Sequence, residues 1–392
     1  MNGAPQPLSL FIVAGEESGD ALGAALIHAL RARCGGALTL NGVGGRAMAA
    51  AGVTSPFAID ELSIIGIAAI PRRLPMILRR IRETADAVVA AKPDALVIVD
   101  SPDFTHRVAR RVRRAAPQIR ILDYVSPTVW AWRSGRARAM RAYVDQVLAI
   151  LPFEPELYVK LGGPPCRYVG HPLIERIGEL RANGDESARR RADPPVVLVL
   201  PGSRAGEIRH LLGIFGAAIE RTAARAGPME LVLPTVPHLL PQLEQAVAGW
   251  PLSPRFVVEP AQKWAAFRRA RAALAASGTV TLELAFSGVP TVTAYRLSAV
   301  EAFIARLIGL SNLPSVILAN LVLGENVFPE FLQADCTPEN LADALVPLLA
   351  DTPQRQRQVE ALGRLDAIMA VGNTAPSAKA AETVLEVAER RR

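Results

Sequence analysis

Cysteine is scarce in this chain. Its 392 residues include only Cys34, Cys166 and Cys336, odd in number and far apart. Neither a disulfide framework nor a zinc cluster can be built from them, which fits a reducing compartment. Charged residues make up 21% and aromatic residues 5%, against 50% hydrophobic, so a disordered chain is excluded. Glycine (29) and proline (31) occur without a period, which excludes collagen-like and low-complexity architecture. Long hydrophobic runs are also missing. The longest uncharged stretch, residues 307–324, reaches 18 residues but contains Asn312, Pro314, Ser315 and Asn320. It reads as loop and buried strand rather than a membrane span. The N-terminus has no basic segment ahead of an apolar one, and the run Leu8–Ala14 meets Glu16 and Glu17 at once, so a cytoplasmic protein is expected. No Asp-x-Asp pair, Cys/His metal spacing or G-x-x-x-x-G-K-[ST] run is present, so no metal or other cofactor is expected.

The length predicts two domains. The net charge of +7 is unevenly placed: residues 71–141 hold 16 Lys and Arg against six Asp and Glu. Such a patch suits an anionic partner. Short apolar runs at 8–14, 38–43, 95–100, 119–125 and 146–151 read as buried strands, and 20–33, 74–91 and 104–115 have helical spacing between them. After a polar stretch at 181–195 the pattern restarts, with strands expected at 196–200, 231–234, 255–258, 272–276 and 290–294. The expected fold is α/β, two doubly wound Rossmann-like units facing a cleft, with ligands at strand carboxyl ends.

Five loops at those strand ends carry candidate chemistry. Gly15-Glu16-Glu17-Ser18-Gly19-Asp20 lets the backbone turn sharply into a helix, capped by Ser18 or Asp20, and its acids suit sugar hydroxyls better than phosphate. Gly42-Val43-Gly44-Gly45-Arg46-Ala47 imitates a dinucleotide fingerprint but follows the second strand, which argues against nicotinamide binding. Asp100, ending a strand, is placed as a base with a raised pKa, and Asp103 as a helix cap. Pro201-Gly202-Ser203-Arg204 offers amides and a guanidinium to a diphosphate. Ser277-Gly278-Thr279 repeats the design, with Glu283 placed to accept both hydroxyls of a ribose. The loop from Tyr124 through Trp130 and Trp132 to Arg133 is read equally as a ligand or lipid surface and as a satellite core, and His171 as structural. Between residues 62 and 80, Ile64, Ile65, Ile67, Ile70, Leu74, Ile77 and Leu78 interleave with Arg72, Arg73, Arg79 and Arg80, a mixture that favours an anionic bilayer surface.

Together these motifs, with Leu151-Pro152-Phe153-Glu154 and Val169-Gly170-His171, resemble the lipid-A-disaccharide synthases. The resemblance implies a GT-B fold with an N-terminal acceptor and membrane-facing domain (1–172), a UDP-sugar domain (173–371) and a C-terminal helix (about 372–392) packing back on the first. It implies transfer from UDP-2,3-diacylglucosamine to 2,3-diacylglucosamine 1-phosphate, giving a β-1,6 disaccharide and UDP, at the inner face of the inner membrane by a peripheral protein that can be a homodimer. By position, Asp100 is the implied base and Arg204 the diphosphate cation. Gly202, Ser203, Ser277, Gly278, Thr279, Glu283 and Asn320 form the implied donor site, and Glu16, Ser18 and Gly19 the acceptor loop. A soluble-acceptor transferase or an epimerase of the same fold is the alternative. Nucleic acid is not an expected partner, because the charge neighbours apolar residues rather than stacking aromatics.

Overall fold

The computed structural model describes residues 7–35, 38–62, 70–130, 134–298, 301–302 and 314–389. The chain divides into two compact units, 1–174 with 370–392, and 175–369.

The first unit is built on a parallel sheet of β1 (Leu8–Ala14), β2 (Leu38–Val43), β3 (Ala95–Val99), β4 (Arg120–Tyr124), β5 (Gln146–Ala149) and β6 (Cys166–Tyr168), in the order β2-β1-β3-β4-β5-β6. Strands β1 and β3 are buried on both faces, which explains their continuous apolar sequences. Apolar clusters lie on both sides of the sheet, one under the helices Ile70–Ala91 and Pro102–Ala115, the other under Glu17–Cys34 and Pro376–Glu389. The last of these helices buries Ala380, Ala381, Val384 and Ala388. Strand order reverses between β1 and β3, so the loops after them diverge and open a crevice at Gly15–Ser18 and Asp100–Ser101.

The second unit repeats the plan with β7 (Val196–Leu200), β8 (Glu230–Pro234), β9 (Arg255–Val257), β10 (Ala272–Ala276), β11 (Thr291–Tyr295) and β12 (Glu330–Leu332), in the order β12-β11-β10-β7-β8-β9. Its reversal falls between β7 and β10, which sends the Gly202–Arg204 and Ser277–Thr279 loops to one crevice.

Three expectations change. Residues Leu318–Leu323 form a helix, not a buried strand: the buried positions Ala319, Asn320 and Val322 follow helical spacing, and Gly324 at φ 70° closes the turn. Leu74 and Leu78 do not face the core with Ile81, Ala85 and Val88; they are 41% and 37% exposed. The edge strands β6 and β12 appear where no strand was expected. Among the described residues no helix is long and apolar enough to cross a membrane.

Candidate active site

In the second unit the two crevice loops border a pocket of about 460 Å³ with Arg204, Glu207, Thr235, Lys263, Ser277 and Glu283 in its wall. The helix Ala205–Ala226 starts beside it, and the two amides just ahead of the helix are engaged. Glu207, one turn in, accepts Ser203 N–H at 3.0 Å and Arg204 N–H at 3.3 Å, and pairs with the Arg204 guanidinium at 3.1 Å. Gly202 serves this contact, because at φ 116° a side chain there would run into the Glu207 carboxylate. Two of the amides expected to bind a diphosphate are thus occupied by a side chain, while Arg204 itself stays 80% exposed. The exposed guanidinium is the charged group this loop offers an anion.

Glu283 projects from the helix Val280–Phe286 and accepts a hydrogen bond from Lys263 Nζ on Oε2 at 2.6 Å. Lys263, from the helix Pro260–Arg269, lies over the rings of Trp264 and Phe267, 4.4 and 5.4 Å from their centroids. Sequence reasoning missed it; the signal was a lone lysine entering an aromatic helix, Lys263-Trp264-Ala265-Ala266-Phe267. Thr235 Oγ1 and Ser277 Oγ, both on pocket-lining residues, are buried with no hydrogen-bond partner among the described residues. Gly278 has open space where a Cβ would stand, and Thr279 opens the helix that carries Glu283. Asn320 is not among the pocket-lining residues. Its amide donates to Phe328 O and Glu330 Oε1 and accepts from Val327 and Phe328 N–H, so it braces the turn into β12.

In the first unit the crevice gathers carboxylates. Asp100 accepts its neighbour Ser101 N–H at 2.8 Å and Ser18 Oγ at 3.3 Å. Asp100 and Ser101 both have positive φ, 52° and 45°, and nearby Val125 reaches 78°. Three non-glycine residues in that region at two strand ends mark local strain of the kind that gathers at functional sites. The carboxyl pushed above its usual range is Glu16, by desolvation first and then by the Asp100 charge and a hydrogen bond to Asp100. Gly15 and Gly19 are demanded by packing: a Cβ would stand 2.8 Å from Ser101 Cβ or 3.0 Å from Val99 O.

Two expected caps are corrected. Ser18 and Asp20 lie inside the helix Glu17–Cys34 and do not cap it; Asp20 is buried and accepts Gly45, Ala47 and Met48 N–H at 2.7–3.0 Å. It caps the helix Arg46–Ala50 across the glycine run, and Gly45 gives its carboxylate room. Asp103 caps nothing, because Pro102 already begins the helix; it is 84% exposed and 3.4 Å from Arg136. His171 accepts Leu173 N–H, and burial lowers its pKa to about 4.

Comparison with known proteins decides the family. A sequence model described as lipid-A-disaccharide synthetase matches residues 10–383. The lipid-A-disaccharide synthases of Nitrobacter hamburgensis and Bradyrhizobium diazoefficiens are 62% and 60% identical, over 96% and 98% of this chain and 95% and 98% of theirs. The chain belongs to the lipid-A-disaccharide synthase family. It is therefore a glycosyltransferase of lipid A biosynthesis. Among solved structures, UDP-GlcNAc 2-epimerase from Neisseria meningitidis superposes with a TM-score of 0.63 at 13% identity, covering 97% of this chain and 100% of that one. Acinetobacter baumannii MurG does so at 0.56 and 16%, covering 98% and 100%. At such identities the likeness establishes the fold alone, GT-B.

The basic, apolar segment is described only in part. Ile64, Ile65 and Ile67 lie outside the described residues, as do the side chains of Ile70 and Arg72 and the residues Trp132 and Arg133. In the helix Ile70–Ala91, Arg80 turns inward: it binds Glu61 and Glu83, each at 2.7 Å, and lies 4.6 Å above Phe57. Ile77 packs against the core. Arg73, Leu74, Leu78 and Arg79 are exposed. Trp130 meets Phe153 edge to face at 6.1 Å.

Proposed function

We propose that this glycosyltransferase joins UDP-2,3-diacylglucosamine to 2,3-diacylglucosamine 1-phosphate, inverting the donor's anomeric centre to form the β-1,6-linked disaccharide phosphate and releasing UDP. The observation that carries the reading is the second unit's pocket, where an exposed arginine and a lysine-paired glutamate share one crevice wall. A UDP-sugar supplies the matching groups, a diphosphate for Arg204 and hydroxyls for Glu283, with Ser203, Ser277, Gly278 and Thr279 closing on the nucleotide. As the glycosidic bond breaks, negative charge grows on the departing diphosphate, and Arg204 bears it. Asp100 takes the proton from the acceptor's 6-hydroxyl, held by Ser18 and by its own backbone turn. Glu16 beside it is pushed above the usual carboxylate range by burial and then by the Asp100 charge, so it holds its own proton more tightly. No step calls for a metal.

Arg73, Leu74, Leu78 and Arg79 would meet an anionic membrane surface, placing the protein peripherally at the inner face of the inner membrane with acyl chains entering from the bilayer. Incubation with radiolabelled UDP-2,3-diacylglucosamine and 2,3-diacylglucosamine 1-phosphate should yield labelled disaccharide; label that stays in the donor, or is released as free sugar, sinks the proposal.

A further inference from the structure

Glu283 and Lys263 stand on different helices, and their 2.6 Å contact divides the carboxylate into two unlike oxygens. Oε2 is taken by the ammonium, while no described residue donates to Oε1. A free glutamate in a half-buried site samples several rotamers, and a charge-assisted bond to one oxygen removes most of that freedom. Lys263 is itself constrained: Trp264 and Phe267 form a shelf under its ammonium, and the residue is only partly exposed. Lys263 therefore leaves Oε1 as the Glu283 oxygen without a described donor, on a residue that lines the pocket.

A second observation points to a ligand at the same wall. Thr235 Oγ1 and Ser277 Oγ are buried and unpartnered, and both residues line the pocket with Lys263 and Glu283. A buried hydroxyl without a partner is costly. Both residues belong to the pocket wall, so two hydroxyls without a protein partner stand in the same wall as Lys263 and Glu283.

We propose that Lys263 is a positioning residue of the donor pocket: by holding Glu283 Oε2 it aims Oε1 at a ribose hydroxyl, and so makes the site selective for a ribonucleoside diphosphate over its deoxy counterparts. This rests on the reading of the pocket as the UDP-sugar site. Lys263 acts through Glu283, and the diphosphate remains with Arg204.

The test is a calorimetric titration of the full-length protein with UDP, 2′-deoxy-UDP and 3′-deoxy-UDP. Wild type should prefer UDP over at least one deoxy form by ~10-fold, the worth of one hydrogen bond to a charged acceptor. Lys263→Met should lose most of that preference, as should Glu283→Gln, and the double variant should be no worse than Glu283→Gln alone. Lys263→Arg, which keeps a donor for Oε2, should recover most of it. An equal loss for UDP and both deoxy forms in Lys263→Met would mean that Lys263 contacts the phosphates, and an unchanged preference would mean that it has no part in reading the ribose. Either result overturns the inference. Thermal melts of each variant exclude misfolding, and should Lys263→Met not fold, Lys263→Gln gives the same reading. If wild type binds no UDP, the pocket assignment fails instead, a different result from UDP binding that ignores Lys263.

Discussion

Asp100 and Asp103 sit three residues apart on the same loop and helix start, yet their surroundings give them opposite work. Asp100 is part-buried, bonded to Ser18 and Ser101, and held at positive φ, a conformation that asparagine tolerates as well as aspartate. Asp100→Asn is therefore a clean removal of a base: the fold should persist and turnover should fall by ~10²–10⁴. Asp103 is exposed beside Arg136, so Asp103→Asn should change stability by less than ~0.5 kcal/mol and leave turnover near wild type. Steady-state assays of the two variants separate chemistry from surface charge; a near-normal rate for Asp100→Asn would move the base to Glu16. Elsewhere in the same unit Glu154 is buried, accepts Leu151 N–H, and is pushed up to about 7, chiefly by desolvation. Folded Glu154 keeps a proton that the unfolded chain releases near 4.5, so its contribution to stability falls as pH rises from about 4.5 through 7. His171, lowered from 6.5 to about 4, has the opposite sign: its contribution grows as pH rises from about 4 through 6.5. Glu154→Gln removes the first slope and leaves the second. Urea unfolding at pH 4 should show little difference between variant and wild type, and at pH 8 the variant should be more stable by up to ~3 kcal/mol.

At the scale of elements, the long helix Ile70–Ala91 shows how one sequence pattern serves two surfaces. Ile81, Ala85 and Val88 bury one stripe, while Arg73, Leu74, Leu78 and Arg79 remain exposed over the first three turns. Sedimentation with anionic vesicles at low salt should be weakened by Arg73→Ser with Arg79→Ser, at ~1 kcal/mol for each basic residue, and further by Leu78→Ser, with UDP affinity unchanged. Arg80→Ser should instead lower the melting temperature, because its partners Glu61 and Glu83 and the Phe57 face belong to the folded unit. Binding that ignores both salt and the Arg73 and Arg79 changes would remove the membrane role from this helix. The central strands were legible because burial on both faces writes an unbroken apolar run, as in Leu96-Val97-Ile98-Val99. The edge strands β6 and β12 were not: each has three residues, none fully buried, so neither run length nor alternation announces them. The candidate loops were legible for the same reason as the strands they end, but their internal bonding was not. Asp20 reaches across 25 residues to Gly45, and Lys263 reaches Glu283 across 20, contacts that local spacing cannot express. Asn320 enters the donor site through the family resemblance alone, and its four hydrogen bonds to Val327, Phe328 and Glu330 give it a bracing role at the turn into β12.

On the scale of the whole molecule, the chain leaves its first unit near residue 174 and returns to it at 370, so the last helix closes a unit that began with β1. The helix Pro376–Glu389 packs on Glu17–Cys34 and on the sheet through Ala380, Ala381, Val384 and Ala388, small residues that allow a close approach. Arg33–Glu382 at 3.8 Å and Arg167–Glu386 at 2.8 Å flank it, but pairs this exposed contribute less than about 1 kcal/mol each. Apolar burial is what holds the helix, and Val384 is its largest fully buried side chain. Val384→Asp sets an unpaired carboxylate in that apolar contact and should cost several kcal/mol (about 3 or more), whereas Glu382→Gln should leave stability near wild type. Because each unit has its own apolar core, the loss belongs to the first unit alone. Calorimetry of Val384→Asp should show the melting of the first unit moved to lower temperature and UDP still protecting the second. A variant in which UDP protection vanishes along with the first transition would show that the two units unfold as one, and would put the closing helix in charge of the donor pocket as well.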